Sequence, residues 1–258
     1  MDLKYFLIDL DGVLYNGGVA VEGAAHALQA LRENGCKFQL VSNTSGKTTD
    51  AIKEKLNSMG FEVYERDIFL AAEAMVRFIK HKKSKAKCYL IGTLALEEAM
   101  KDAGLNVTRK EEPVDFVVVA HDNETTYNKM DIALRLLLKG AGFVGVHDLR
   151  FYPNETGVHI TSGAFIKALE YSSGKPACII GKPNPDFFKD AMRKMKAKRE
   201  QTAMVGDDIF ADIKGAQECG LKAIFVESGS YSRDDLARNN IKPDAILKSI
   251  KDLPAILG

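Results

Sequence analysis

Short apolar runs alternate with amphipathic stretches along this chain, and the runs end in acids, small polar residues or glycine. The first run covers residues 4–10 and closes on Asp9-Leu10-Asp11-Gly12. A helical pattern follows over about 22–34, with Ala25, Leu28, Ala30 and Leu31 on roughly one face and Gly35 as its C-cap. Residues 37–42 read as a second strand, and Asn43-Thr44-Ser45-Gly46 turns into a helix over 47–59. The rhythm returns late in the chain, with a strand over 202–205, a helix over 211–219 and a strand over 221–226. Strands that alternate with helices imply a parallel sheet covered on both faces, so the expected fold class is α/β.

Between these ends lies a stretch with its own alternation. Strands are expected over 87–91, 116–120 and 143–146, and helices over 94–103, 127–139 and 162–172. We read residues 72–176 as a second α/β domain inserted into the first, which then comprises 1–71 and 177–258. The chain of 258 residues is long enough for two cores. The boundaries follow from where the chemistry falls, because the candidate catalytic residues sit at both chain ends.

Composition excludes several partners. Lys and Arg number 36 against 35 Asp and Glu, so no electrostatic footprint for nucleic acid or a membrane surface is expected. The four cysteines, Cys36, Cys88, Cys178 and Cys219, lack CxxC spacing and lie in or beside apolar stretches, as buried reduced thiols do. The apolar start Tyr5-Phe6-Leu7-Ile8 is too short for a signal or membrane segment. A cytoplasmic protein is the expectation. None of the five histidines has HxxxH spacing, which argues against zinc.

Four short segments, each at the C-terminal end of an expected strand, carry the chemistry. Open α/β sheets place their ligands there. In Asp9-Leu10-Asp11-Gly12-Val13, two carboxylates two residues apart are costly at a sheet edge unless they are paired or bind a cation. They read either as a turn closing the strand or as a nucleophile, Asp9, with an acid and base, Asp11. The second reading needs the backbone to bend at Leu10 to Gly12, which a glycine permits. Ser42-Asn43-Thr44 precedes a helix and offers either a cap or an anion site. Lys182, between Gly181 and Pro183, is a surface lysine or one held in a stiff turn to neutralise phosphate and Asp9. Gly206-Asp207-Asp208 with Asp212 supplies helix caps or a hard-oxygen cation site. Each bland reading is respectable singly, but four in this order at strand ends are not readily coincidental.

These residues resemble the haloacid dehalogenase superfamily of phosphatases over essentially the whole chain. Asp9-Leu10-Asp11-Gly12-Val13 looks like the first motif, Ser42-Asn43 the second, Lys182 the third, and Gly206-Asp207-Asp208 with Asp212 the fourth. Residues 156–163, 167–171 and 181–185 are similar to NagD-like phosphatases of subfamily IIA. Residues from Phe187-Phe188 through Gly215-Ala216-Gln217 look most like the phospholysine, phosphohistidine and inorganic pyrophosphate phosphatase group. The resemblance implies a Rossmann-like three-layer core with an inserted cap of the C2 type. It implies attack on phosphorus by Asp9 and proton transfer by Asp11. Mg²⁺ would be held by Asp9, the Asp11 backbone carbonyl and Asp207, with Asp208 and Asp212 orienting water or Lys182. Ser42, Asn43, Thr44 and Lys182 would bind the phosphoryl group. Aspartate at position 11 favours hydrolysis, since relatives that keep the phosphorylated intermediate carry threonine there.

The inserted domain would cover the site and select the leaving group. His121-Asp122-Asn123-Glu124, His147-Asp148-Leu149-Arg150 and Phe151-Tyr152-Pro153 are its candidate facing residues, or equally rim residues that touch only solvent. The expected partner is a small phosphorylated molecule, with no nucleic acid and no membrane. Cap-mediated pairing is common in resembling proteins, so a homodimer is the expectation. A phosphate-sensing module and a phosphotransferase on the same fold stand as alternatives.

Overall fold

The computed structural model describes residues 2–149, 151–154 and 157–256, and for 152–154 the backbone alone. Arg150, Thr156 and the side chains of Tyr152 and Pro153, named above, lie outside the described residues. The chain divides into two compact units. One comprises Met1–Ser42, Thr49–Phe69 and Lys182–Gly258, the other Asn43–Thr48 and Leu70–Gly181.

The first unit is built on a six-stranded sheet. Its order is Ala245–Leu247, Lys222–Val226, Thr202–Gly206, Tyr5–Asp9, Lys37–Ser42, Ile68–Leu70. Tyr5–Asp9 pairs in parallel with Thr202–Gly206 on one side and Lys37–Ser42 on the other. Phe6, Leu7 and Ile8 are fully buried in succession, which requires cover on both faces of the sheet. Counted along the chain within this sheet, the strands lie in the order six, five, four, one, two, three. The direction of winding therefore reverses between Tyr5–Asp9 and Thr202–Gly206. At such a reversal the loops after adjacent strands leave in opposite directions and open a crevice. Asp9 and Asp207 stand at its two lips.

The second unit holds a five-stranded sheet in the order Cys178–Ile179, Gly142–Gly145, Phe116–Val119, Lys87–Ile91, Asn106–Thr108, parallel throughout. Tyr89, Ile91, Val117, Val119 and Phe143 from the sheet pack with Leu136, Leu137, Ile166 and Leu169. These last four come from the helices Tyr127–Leu138 and Ser162–Ser173. The helices start where side chains satisfy their first amides: Thr126 accepts from Lys129 N–H, and Thr161 from Gly163 N–H. A two-stranded ribbon, Phe151–Asn154 against Gly157–Ile160, completes the described strands of this unit. No described helix of either unit is long and apolar enough to cross a membrane.

Three local expectations are revised. Helix Thr49–Ser58 starts after residue 47, so Ser42, Asn43 and Thr44 do not cap it. The helix expected over 211–219 is a π-helical turn, Ile209–Lys214, followed by the short α-helix Gly215–Glu218. The Asp208 carbonyl accepts from both Asp212 N–H at 3.0 Å and Ile213 N–H at 3.1 Å, which widens the turn. Helix Pro185–Met195, not anticipated, has Asn184 as its N-cap and Pro185 in its first turn, and buries Phe187, Phe188, Ala191, Met192 and Met195.

Because Leu7 is fully buried in the central strand, Leu7→Ala should lower the unfolding free energy by about 2–5 kcal/mol. Val158, 70% exposed on the ribbon, should tolerate alanine within about 0.5 kcal/mol. Urea denaturation followed by circular dichroism measures both, and equal effects would contradict the placement of the core.

Candidate active site

The strand Tyr5–Asp9 ends at Asp9 because the chain turns sharply there. The Leu10 carbonyl accepts from Leu14 N–H at 2.9 Å and more loosely from Val13 and Tyr15, both at 3.3 Å. Gly12 takes a φ of +81°, and a Cβ at that position would lie 2.4 Å from Asp207 Oδ2. Glycine is thus required there twice, for the backbone conformation and for the approach of Asp207. The bend expected over Leu10 to Gly12 is thus present, although in an extended strand Asp9 and Asp11, two residues apart, would already share a face.

Lys182 follows the crossing back into the first unit and is 3% exposed. Its Nζ donates to Asp9 Oδ1 at 2.6 Å and lies 2.7 Å from Asp212 Oδ1. The Asp212 side chain is completely buried, while 13% of the Asp9 side chain remains exposed. Asp212 lies so close to the strand end that a Cβ on Gly206 would meet its carboxylate at 2.2 Å. Burial pulls the Lys182 pKa down, but Asp212 and Asp9 more than offset it, and the net shift is upward. The two carboxylates thus favour the ammonium form.

The carboxylates of Asp9, Asp207 and Asp212 offer oxygens that all lie within 4.8 Å of one another. Two like charges at that distance repel by about 3 kcal/mol at an effective dielectric near 20. Desolvation raises the Asp9 pKa even against the pull of Lys182. Asp212 is raised well above the carboxylate range, again chiefly by burial. Burial and the Asp9 charge push Asp207 up to about 7, although Ser230 N–H donates to its Oδ2 at 2.7 Å. Three acids share one cation. An all-oxygen, negatively charged cluster of this kind fits a hard divalent ion, which would remove the excess charge.

The remaining expected residues are placed as follows. The Asp11 carboxylate is exposed and its Oδ2 accepts from Tyr15 Oη at 3.1 Å. Asp208 Oδ1 accepts from Phe210 N–H and Ala211 N–H, both at 2.8 Å, and so caps the π-helical turn. Ser42 ends its strand, 8% exposed, beside the strand of Asp9. Asn43 and Thr44 open the segment Asn43–Thr48, which groups with the second unit. There Ser45 Oγ accepts from His121 N–H at 3.2 Å. His147 in that unit is buried, and burial depresses its pKa to about 4, so its ring is neutral. The Asp122 carboxylate is paired with Lys129 at 2.8 Å.

Sequence reasoning missed the loop 227–230. Ser228 Oγ donates to the Gly12 carbonyl at 2.6 Å, and a Cβ on Gly229 would lie 2.0 Å from Asp207 Oδ2. The loop follows the strand Lys222–Val226, so the strand-end rule that located the other four segments would have found it. Tyr15 was also missed. Its phenol is pushed above its ordinary pKa by burial and by Asp11, so it stays protonated and donates.

Comparison with known proteins accords with this geometry. A family model described as haloacid dehalogenase-like hydrolase matches residues 6–106, and a second for HAD-like hydrolases matches residues 179–253. The chain is 32% identical to haloacid dehalogenase-like hydrolase domain-containing protein 2 of Mus musculus, covering 93% of this chain and 90% of that one. It is 31% identical to acid sugar phosphatase of Staphylococcus aureus, covering 98% of each. Among solved structures, p-nitrophenyl phosphatase from Archaeoglobus fulgidus superposes with a TM-score of 0.93 at 29% identity, over 99% of both chains. NagD from Escherichia coli K-12 does so with a TM-score of 0.90 at 29% identity, over 98% of both. On these matches the chain belongs to the haloacid dehalogenase-like hydrolases, in their NagD-like branch.

Proposed function

We propose that this protein is a Mg²⁺-dependent phosphatase that hydrolyses small phosphorylated metabolites through a phosphorylated Asp9. The observation that carries the reading is the Asp9 carboxylate held 2.6 Å from the buried Lys182 ammonium, at the crevice where the sheet changes direction. Relatives named acid sugar phosphatase and p-nitrophenyl phosphatase support a phosphate monoester as the bond broken. These names do not extend to the pyrophosphate group, and the leaving group is assigned no further than a monoester's.

In this reading an Asp9 carboxylate oxygen bonds to phosphorus while the bond to the leaving oxygen breaks, and Asp11 gives that oxygen its proton. Asp11 then takes a proton from water as the water oxygen bonds to phosphorus and the acyl phosphate bond to Asp9 breaks. Lys182 balances charge on the transferring group, with Ser42, Asn43 and Thr44 as further donors to its oxygens. Asp212 holds Lys182 in place, and Asp208 fixes the turn that carries Asp212. Asp9, Asp207 and the Asp11 carbonyl would hold Mg²⁺, which supplies the positive charge a dianion needs to approach an anionic nucleophile.

Two outcomes are expected. Asp9→Asn should lower the Mg²⁺-dependent turnover of p-nitrophenyl phosphate by at least about 10³-fold without loss of the fold. Binding of phosphate with no turnover in the unaltered protein would favour the sensor, and phosphate appearing on an added alcohol the phosphotransferase. The second outcome concerns protons. Asp207, near 7 without a cation, must ionise to bind one, so Mg²⁺ addition at pH 6 should release protons and at pH 8.5 far fewer. Affinity should accordingly fall as pH drops below about 7. Calorimetry in buffers of different ionisation enthalpy measures this; pH-independent release would contradict the assignment of Asp207.

A further inference from the structure

The acid and base of the proposed reaction is the one exposed carboxylate among the functional acids, and burial therefore does not fix its orientation. An exposed aspartate samples several rotamers, and a proton donor is effective only when its oxygen faces the leaving group. The neighbouring residues supply what burial does not. Tyr15 is 2% exposed and donates from Oη to Asp11 Oδ2 at 3.1 Å. Backbone contacts set the two side by side: Gly12 N–H donates to the Tyr15 carbonyl at 2.8 Å, and Asp11 and Tyr15 form a bridge. Tyr15 also begins the short strand Tyr15–Asn16, paired antiparallel with Val19–Ala20.

The ring is held in turn by Lys55, from the helix Thr49–Ser58. Its Nζ lies 3.6 Å from the Tyr15 ring centroid and donates to the Gly17 carbonyl at 3.1 Å. One ammonium thus grips both the ring and the turn of the hairpin that carries it. All of these groups belong to the first unit.

We propose that Tyr15 is a positioning residue for Asp11, clamped by Lys55, which fixes the carboxylate rotamer and directs the transferred proton to Asp11 Oδ1. Oδ2 accepts the phenol hydrogen whether Asp11 is ionised or protonated, so the exchangeable proton resides on the other oxygen in both half-reactions. This rests on the reading of Asp11 as the proton donor.

Leaving-group dependence separates this role from a purely structural one. Good leaving groups depart without a proton, whereas alkoxides need one. Measured as kcat/KM over a series from p-nitrophenyl phosphate through phenyl phosphate to glycerol phosphate, Tyr15→Phe should fall about 10-fold or more for glycerol phosphate. For p-nitrophenyl phosphate the fall should be less than about 2-fold. Lys55→Met, which keeps the phenol, should steepen the same dependence to a smaller degree, and it carries the test should Tyr15→Phe fail to fold. Asp11→Asn sets the limiting slope. A uniform fall across the series, or none, in both Tyr15→Phe and Lys55→Met would overturn the proposal while leaving the phosphatase reading intact. If Asp11→Asn itself shows no leaving-group dependence, the acid role of Asp11 is wrong and the Tyr15 proposal falls with it.

Discussion

The buried ammonium of Lys182, between Asp9 at 2.6 Å and Asp212 at 2.7 Å, is the interaction on which the rest of the site depends. A lone charge so far from water would neutralise itself, and a cluster of acids without a cation would protonate. Together they hold the Asp9 carboxylate in one place, with the ammonium opposing the rise in its pKa that burial causes. The arrangement is costly as well as useful, because removing one partner strands the others, a loss of about 3–5 kcal/mol in buried pairs. It also leaves a surplus of negative charge, and Asp207 carries the consequence in its raised proton affinity. A divalent cation is the natural counterweight.

Such a cluster is tolerated because the backbone makes room for it. The reversal of strand order puts the ends of Tyr5–Asp9 and Thr202–Gly206 side by side. Gly12 and Gly206 then let Asp207 and Asp212 press against main chain where any side chain would collide. The π-helical turn adjoins these contacts: its start is pinned by the Asp208 cap, and Asp212 within it lies against Lys182. Local irregularity and electrostatic need are coupled at each of these positions.

Much of this was legible in the sequence, for physical reasons. Buried parallel strands must be continuous apolar runs, and an acid ending such a run cannot be ordinary, so Asp9 and Asp207 stood out, as Lys182 did between Gly181 and Pro183. The periodicity of residues 127–138 and 162–173 was equally plain, since one face of each helix enters the core of the second unit. What escaped depends on contacts that no local pattern encodes. The widened turn at 209–214 has the composition of a plain helix. Tyr15 reads as one more apolar residue until its phenol is seen on Asp11. The segment Asn43–Thr48 follows a strand of the first unit yet groups with the second, through contacts such as that of Ser45 with His121, residues far apart in sequence. Helix Ala71–Lys82 starts directly after strand Ile68–Leu70 with no side-chain cap, and so gave no start signal.

The central claim is that the Asp9 carboxylate, and no other group, becomes covalently attached to phosphorus. It is tested most directly in the Asp11→Asn variant, where loss of the base slows release of the phosphoryl group. Mixing this variant with Mg²⁺ and p-nitrophenyl phosphate, quenching in acid and reducing with borohydride converts an acyl phosphate of aspartate to homoserine. Peptide mapping should find homoserine at position 9 alone. Homoserine at another acid, or none anywhere while p-nitrophenol is released, would contradict the account.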